Sequence, residues 1–281
     1  MKLLPLTPDG RTPVRALTIA GTDSGGGAGI QADSRTMAML GVHACVAVAA
    51  VTVQNSVGVS GFHEIPPQTV ADQVRVVVGD IGIGAAKTGM LASTAIIEAV
   101  ADVCRELGIG REGPIPLVVD PVAASMHGDP LLHAEALDAL REALIPLATV
   151  VTPNLDEVRL LTGVHVTDDR SARQAAEALH KLGPSWAIVK GGHLRSSDFS
   201  TDLLFDGDKF HELSAPRIET GNDHGGGDTL AAATACALAH GYEVPEAIAF
   251  AKEWTTRCLK AAYPLGAGHG PVSPLWRLSE M

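Results

Sequence analysis

The chain has 281 residues, with 21 Lys and Arg against 32 Asp and Glu, so its formal net charge is −11. This acidic balance argues against a nucleic-acid-binding surface, and an anionic ligand would have to be held by local devices such as helix N-termini, single lysines or a metal ion. Hydrophobic residues make up 46% of the sequence but aromatic residues only 4%, which predicts a globular core packed by Ala, Val, Leu and Ile.

Apolar strands alternate with helical segments along the whole chain. Strands are predicted at 16–20, 45–53, 85–88, 117–121, 149–152 and 186–190, and helices at 30–40, 67–81, 93–107, 134–144, 155–161, 171–182, 229–240 and 245–262. A hairpin is predicted over 202–211 around Asp206-Gly207-Asp208, and residues 1–14 and 263–281 are expected to form a loose arm and an irregular tail. The alternation predicts an α/β fold in which helices cover both faces of a mostly parallel sheet, in a single domain spanning 1–281.

The cysteines and the N-terminus bear on where the protein resides. The four cysteines are widely spaced in apolar or helical contexts and contain no C-x-x-C pair, so we expect buried free thiols in a reducing compartment. Residues 1–13 lack the apolar core of a signal peptide, and the longest apolar stretch, near 44–53, is too short to span a bilayer. The sequence therefore predicts a cytoplasmic protein without membrane association.

Polar residues and glycines collect where the predicted strands end. They are Asp23, Gln54-Asn55, Asp120-Pro121, Pro153-Asn154 and Gly191-Gly192-His193. Ligands of open α/β sheets bind beyond the carboxyl ends of the strands, so this clustering predicts an active site at that edge.

A late glycine-rich segment, 221–228, runs directly into an Ala- and Leu-rich helix. A glycine turn that opens a helix directs free N–H groups and the positive end of the helix dipole at one point, and Asp228 stands at that point. Local chemistry leaves two interpretations equally open, because Asp228 could be the N-cap of an ordinary helix or the carboxylate of a phosphate-binding loop.

Two common nucleotide-binding patterns do not account for these loops. Gly27-x-Gly29-x-x-Ala32 loosely matches the dinucleotide fingerprint, but residues 44–62 contain no Asp or Glu to bind a ribose, and the chain has no G-x-x-x-x-G-K-[ST] loop. Phosphoryl transfer needs donors around the transferred group, a metal ion and often a base. Asp120 and Glu157 are the candidate ligands for Mg²⁺.

Six segments in order carry a resemblance to a known family. They are Thr18–Asp33, Val53-Gln54-Asn55-Ser56, Lys87-Thr88-Gly89-Met90-Leu91, Val119-Asp120-Pro121-Val122, Thr152-Pro153-Asn154-Leu155 and Val189-Lys190-Gly191-Gly192-His193. The chain resembles, from about Ala16 to Pro274, the hydroxymethylpyrimidine/phosphomethylpyrimidine kinases of thiamin biosynthesis. The resemblance implies a ribokinase-like fold, a three-layer α/β/α sandwich with a mostly parallel central sheet. It also implies a homodimer that transfers the γ-phosphoryl group of ATP to 4-amino-5-hydroxymethyl-2-methylpyrimidine and then to its monophosphate.

The same resemblance implies roles for individual residues. The pyrimidine pocket would be formed by Gln54, Asp33, Gly21, Ala28, Met90 and Val122, and the nucleotide site by Lys190, Asn154, Thr152 and His224. Asn154 with Glu157 forms an N-x-x-E pattern tied to Mg²⁺ and phosphate, and Asp120 is expected near the metal. Gly225, Gly226 and Gly227 would form an anion hole with Asp228 as the base. The segment 262–270 is expected near the adenine ring, and Asp23 is expected to be structural.

Two positions depart from the family pattern. Many members have Thr-Gly-Cys where this chain has Gly226-Gly227-Asp228, whereas Asp at this point is the usual base of the wider ribokinase-like group and resembles pyridoxal kinases. Vitamin B6 phosphorylation therefore stays open as an alternative. Met126 stands where a Lys is common, which leaves open how the monophosphorylated substrate is neutralised. A non-catalytic pyrimidine- or nucleotide-binding sensor is the alternative from another class.

Overall fold

The computed structural model describes residues 3, 5, 10–123, 132, 135–191 and 198–280. The strands in that part of the chain are β1 Val14–Ala20, β2 Val42–Val48, β3 Ala50–Asn55, β4 Gly58–Glu64, β5 Ala85–Thr88, β6 Leu117–Val119, β7 Val150–Val151, β8 Trp186–Val189, β9 Phe199–Phe205 and β10 Phe210–Pro216. The α-helices are α1 Gly29–Met39, α2 Pro67–Val76, α3 Thr94–Glu106, α4 Ala136–Ala139, α5 Leu155–Thr162, α6 Asp169–His180, α7 Gly226–Ala239 and α8 Val244–Lys260.

Eight of these strands form one sheet in the order β10-β9-β8-β7-β6-β5-β1-β2. All neighbours from β2 to β8 are parallel, and β9 and β10 add an antiparallel edge. The central strands are apolar without alternation because helices cover both faces of the sheet; all four residues of β5, for example, are buried. The predicted three-layer sandwich with a mostly parallel sheet is confirmed.

The core consists of two apolar layers, one on each face of the sheet. Residues of α2 to α6 pack on one face, and residues of α1, α7 and α8 pack on the other. Helix α7 is buried continuously from Thr229 to Leu238, because its alanines let it lie close to both the sheet and α8. The N-terminus of α7 is thereby fixed at the carboxyl edge of the sheet, where the predicted site lies.

The predicted strand at 45–53 is wrong. Strand β2 ends at Val48, and the backbone N–H of Ala49 donates to the carbonyl of Ala20 as the chain leaves the sheet. Strand β3 then pairs with β4 as a separate antiparallel hairpin, in which Val51 and Val53 are 46% and 64% exposed. An unbroken run of apolar residues conceals this change of direction, since apolar residues suit both a buried strand and the exposed hairpin.

Other boundaries also differ from the sequence-based prediction. The helices predicted at 67–81 and 134–144 end in wider π-type turns, Val77–Ile81 and Leu140–Leu144, and Ile145–Leu147 adds a 3₁₀ turn. The predicted irregular tail contains a 3₁₀ segment, Pro274–Glu280, while half of the predicted arm and Met126 lie outside the described residues. Within the described residues, no helix is long and apolar enough to cross a membrane.

Candidate active site

Two glycine-rich loops meet beyond the carboxyl ends of the parallel strands. The first follows β1 and opens α1, and the second opens α7. They touch backbone to backbone: a Cβ on Gly225, whose φ is +76°, would lie 2.0 Å from the carbonyl oxygen of Gly27. A Cβ on Gly27 would lie 2.3 Å from Cδ2 of His224. Glycine is therefore required at this contact by space as well as by backbone conformation.

Asp23 holds the first loop in shape. Its carboxylate accepts hydrogen bonds from the N–H groups of Gly25 at 2.8 Å and of Gly27 and Ala28 at 2.9 Å. Nε2 of His224, on the second loop, lies 2.9 Å from the same carboxylate. Burial alone would raise the pKa of Asp23, but the hydrogen bond from His224 and those from the backbone hold it below its ordinary value. The expected structural role of Asp23 agrees with this geometry, and His224 fastens one loop to the other.

We predict that Gly225→Ala lowers the free energy of unfolding by at least about 2 kcal/mol, because the added methyl meets the Gly27 carbonyl at a left-handed backbone position. Chemical denaturation measures the change. Gly226→Ala is the matched control, since its Cβ would find only Cγ1 of Val272 at 3.9 Å inside a helix that favours alanine. Equal stability of the two variants would contradict the tight loop contact.

A cavity of about 840 Å³ opens above the two loops and the strand ends. It brings together most of the residues expected at the site, although they come from widely separated segments. Its lining includes Gly21, Ala28, Gln54, Met90, Val122, Asp120, Asn154, Glu157, Lys190, His224, Gly225, Gly226, Gly227 and Asp228. Two expected residues, Asp33 and Thr152, do not line it.

One end of the cavity has the features expected for a flat heterocycle. A Cβ on Gly21 would lie 3.0 Å from Sδ of Met90, so glycine leaves room for a ring against the backbone. Gln54 follows a bulge in the hairpin between β3 and β4, and its backbone is fixed by Ser24 through two hydrogen bonds. No partner for its side-chain amide is found in the part of the chain that the structure describes. That amide offers both a donor and an acceptor to a ligand.

The other end carries charged groups around the N-terminus of α7. Nζ of Lys190 lies 3.6 Å from Oδ1 of Asp120, which also accepts a hydrogen bond of 3.0 Å from the Thr152 hydroxyl. A Cβ on Gly227 would be 3.6 Å from that Nζ and 3.7 Å from Oδ2 of Asp120. Thr152 is fully buried, so the expectation that it contacts the nucleotide is corrected: it supports Asp120 from beneath the cavity.

The N-x-x-E pattern is a helix cap in this structure. The Asn154 side chain accepts a hydrogen bond from the Glu157 N–H at 2.9 Å, and the Glu157 carboxylate accepts one from the Asn154 N–H at 2.8 Å. Burial raises the pKa of Glu157 to about 7; Lys190 opposes the rise and the Asp120 charge adds to it. Two buried carboxylates that repel each other at the cavity wall form a place where a cation would be stabilised.

The raised pKa of Glu157 has a consequence for stability. Between its ordinary value of 4.5 and about 7, the folded protein holds a proton that the unfolded chain has released. The free energy of unfolding of the ligand-free protein should therefore fall as the pH rises through this window. We predict a weaker pH dependence for Glu157→Gln, measured by urea denaturation at pH about 5 and about 7.5. Glu142→Gln, exposed after α4, is the control; the same pH dependence in both variants would contradict the prediction.

Asp228 is joined to a buried ion pair that the sequence-based reasoning did not identify. Nζ of Lys87, on β5, lies 3.0 Å from Oδ1 of Asp228 and 3.0 Å from each carboxylate oxygen of Asp33. Asp33 is fully buried and accepts a 2.6 Å hydrogen bond from the Thr18 hydroxyl, so its expected place in the pyrimidine pocket is corrected. The signal for Lys87 was a lysine inside the short predicted strand 85–88, in the middle of the sheet, where an unpaired charge is too costly.

The cavity also extends beyond the expected residues. Segment 216–220 and part of α8, including Lys252, Thr255 and Leu259, form its far wall. Lys252 is held by Asp202 at 2.8 Å. From the segment 262–270, which was expected near the adenine ring, His269 reaches the lining and lies 2.9 Å from Asp223. Neither β10 nor α8 carries a sequence motif that would have selected these residues.

Comparison with known proteins places this site in a family context. A family model described as phosphomethylpyrimidine kinase matches residues 23–273. A hydroxymethylpyrimidine/phosphomethylpyrimidine kinase of Mycobacterium leprae (strain TN) is 67% identical over 281 residues, which cover 99% of this chain and 99% of the relative.

Solved structures share the fold. An ADP complex of Bacillus subtilis pyridoxal kinase superposes with a TM-score of 0.85 at 36% identity, over 95% of this chain and 100% of that chain. A phosphomethylpyrimidine kinase from Clostridium difficile 630 superposes with a TM-score of 0.75 at 34% identity, over 86% of this chain and 98% of that chain. The predicted ribokinase-like fold is confirmed. Because pyridoxal and pyrimidine kinases share it, overall shape does not distinguish their substrates.

Proposed function

The chain belongs to the phosphomethylpyrimidine kinase family, and we propose that Asp228, at the N-terminus of α7, is the base of its phosphoryl-transfer reaction. The chain is a transferase that phosphorylates hydroxymethylpyrimidine and its phosphate in thiamin biosynthesis, with ATP as the donor. The observation that carries the proposal is the position of Asp228, which lines the cavity together with the anion-binding glycines and Lys190.

In the first transfer, Asp228 accepts the proton of the substrate hydroxyl. The hydroxyl oxygen forms a bond to the γ-phosphorus, the bond from that phosphorus to the oxygen bridging the β-phosphate breaks, and ADP leaves. Asp228 suits this step because its side chain is 16% exposed, at the boundary between the core and the cavity. Its Oδ1 is engaged by Lys87, and no partner of Oδ2 is found within the described residues.

The start of α7 supplies hydrogen-bond donors for the transferred group. The N–H groups of Gly227 and Asp228 lie in the first helical turn, where no carbonyl within the helix can accept from them. Gly226 donates instead to the carbonyl of Asp223 at 3.1 Å, which keeps the turn closed. Oriented N–H groups and the helix dipole stabilise charge that develops on the phosphoryl oxygens.

Lys190 and the two buried carboxylates would handle the remaining phosphate charge. Lys190 lines the cavity beside Gly227 and supports binding of the ATP phosphates. Asp120 and Glu157 would hold Mg²⁺, which when bound neutralises phosphate charge. Within the described residues no three His, Cys, Asp or Glu side chains form a metal cage, and this fits Mg²⁺, which usually takes one or two carboxylates together with water and phosphate oxygens.

The pyrimidine would lie at the opposite end of the cavity. Gln54 would pair with the aminopyrimidine edge, while Gly21, Ala28, Met90 and Val122 would form the apolar walls.

The second candidate function is pyridoxal phosphorylation, because a pyridoxal kinase shares the fold with a TM-score of 0.85. Comparing kcat/KM for hydroxymethylpyrimidine and pyridoxal on one preparation tests the choice. A preference for pyridoxal would overturn it, and absence of ADP release with either substrate would favour a binding sensor.

We further propose a cytoplasmic homodimer. The four cysteines are free and buried, which suits a reducing compartment. The hairpin of β3 and β4 exposes Val51, Val53 and Val57, and an apolar surface of this kind supports contact with a second copy of the chain. Sedimentation equilibrium separates the dimer from the monomer.

A further inference from the structure

The buried cluster behind Asp228 is built from three separate elements. Asp33 comes from α1, Lys87 from β5 and Asp228 from α7, and Thr18 on β1 adds a hydrogen bond to Asp33. Lys87 and Asp33 have 0% exposed side chains, while the side chain of Asp228 is 16% exposed. The charges are thus arranged in a line that begins in the core and ends at the cavity.

Such a cluster is a costly way to stabilise a fold. Burying ions removes them from water, and apolar residues of similar volume often stabilise a core as well or better. Lys87 nevertheless uses its three N–H donors on carboxylates, two on Asp33 and one on Asp228. Burial, opposed by Lys87 and reinforced by the Asp228 charge, raises the pKa of Asp33 to about 7, so ionised Asp33 depends on its contact with Lys87.

The geometry also determines which oxygen of Asp228 faces the reaction. Lys87 holds Oδ1, and this contact fixes the side-chain rotamer so that Oδ2 is left for a ligand. Asp33 in turn anchors the ammonium through both of its oxygens, which limits how closely the cation can approach Asp228.

We propose that Lys87 and Asp33 are positioning residues for the phosphoryl transfer, which hold Asp228 in a single orientation toward the substrate hydroxyl. This inference rests on the proposed role of Asp228 as the base. Neither residue touches the substrate, since both lie beneath the cavity wall. Their effect should therefore appear in turnover and not in pyrimidine binding.

The first test uses Asp33→Asn, which preserves shape and leaves Lys87 paired with Asp228. Without the second carboxylate the ammonium group loses its anchor and no longer holds Asp228 in one position. The kcat for hydroxymethylpyrimidine should fall about 10-fold at an unchanged Kd for the pyrimidine, measured by calorimetry. Thr234→Val, a buried substitution on the same helix as Asp228, is the control and should leave both values unchanged. An unchanged kcat in Asp33→Asn would overturn the proposal.

The second test separates positioning from stability. Lys87→Met should leave two carboxylates facing each other, lower the midpoint of thermal unfolding and reduce kcat about 30-fold. Adding Asp33→Asn to Lys87→Met removes that repulsion and should restore the unfolding midpoint, while kcat stays low because Asp228 still lacks its cation. Recovery of kcat together with stability would show a purely structural cluster and overturn the proposal.

Asp228→Ala, assayed in parallel, separates failure of the proposed base from failure of the proposed positioning residues. If Asp228→Ala keeps full turnover, the base itself is misassigned. If Asp228→Ala loses turnover while Asp33→Asn and the double variant keep it, only the positioning role fails.

Discussion

Replacing Asp228 by Ala should reduce kcat for phosphorylation of the hydroxymethyl group by at least about 10²-fold. The hydroxyl of an alcohol holds its proton at neutral pH, so its attack on phosphorus depends on a base. Binding should change little, because the contacts proposed to hold the ring come from Gln54 and Met90 and not from the Asp228 carboxylate. On the same preparation, steady-state kinetics measures kcat and calorimetry measures the Kd for the pyrimidine.

The second transfer supplies an internal control for this variant. The acceptor is then a phosphate oxygen, and a phosphate monoester has its second pKa near 6, so most of it is already ionised at pH about 8. Asp228→Ala should accordingly impair the transfer to the monophosphate much less than the transfer to the alcohol. Equal loss in both steps would mean that Asp228 serves a purpose other than proton removal.

Lys190→Met should lower kcat/KM for ATP by about 10²-fold, because it removes a largely desolvated positive charge next to the glycine turn that we propose binds phosphate. The side chain of Lys190 is only 15% exposed, so the water that would replace it screens the phosphates poorly. Pyrimidine affinity should stay within about 2-fold of the parent chain, since a phosphate contact contributes nothing to binding of the ring.

Lys209→Met is the matched control for this variant. Lys209 is an exposed lysine in the turn between β9 and β10, and it does not line the cavity. Its removal tests the general effect of one lost positive charge on an acidic protein. If the two lysine variants have the same kcat/KM for ATP, Lys190 does not contact the nucleotide.

The sequence left two interpretations of Asp228 open, the N-cap of an ordinary helix and the carboxylate of a phosphate-binding loop. The surroundings of the Gly225–Asp228 loop distinguish them. A capping Asp would lie at the N-cap, but here the N-cap is Gly225, and Asp228 is three positions further along α7. Its carboxylate is held by Lys87, which is 141 residues earlier in the chain. Spacing along the sequence cannot reveal such a pairing, because it arises only when α7 packs onto β5.

The sequence indicates which polar residues meet at the cavity where those residues follow strands of the parallel sheet, while their roles stay predictions. Asp120 and Lys190 follow β6 and β8, and the parallel pairing of β6, β7 and β8 brings them to the same edge, whereas Gln54 reaches the cavity from the separate β3–β4 hairpin. The expected place in the cavity lining was wrong for Asp33, on α1, and for Thr152, which follows β7, because a polar side chain at this edge of the sheet can point into the cavity or beneath it. The choice depends on a partner, Lys87 in one case and Asp120 in the other, that only the packed structure reveals.

Following the products formed from ATP and hydroxymethylpyrimidine over time tests the two-step transfer and the role of Asp228 in one measurement. Anion exchange separates the monophosphate from the diphosphate, and the parent chain and Asp228→Ala are run side by side. The parent chain should form the monophosphate first and then the diphosphate, with one ADP released per transfer, and Asp228→Ala should lose the first step. ATP consumption without any pyrimidine phosphate, or a first step that proceeds undiminished in Asp228→Ala, would contradict the account.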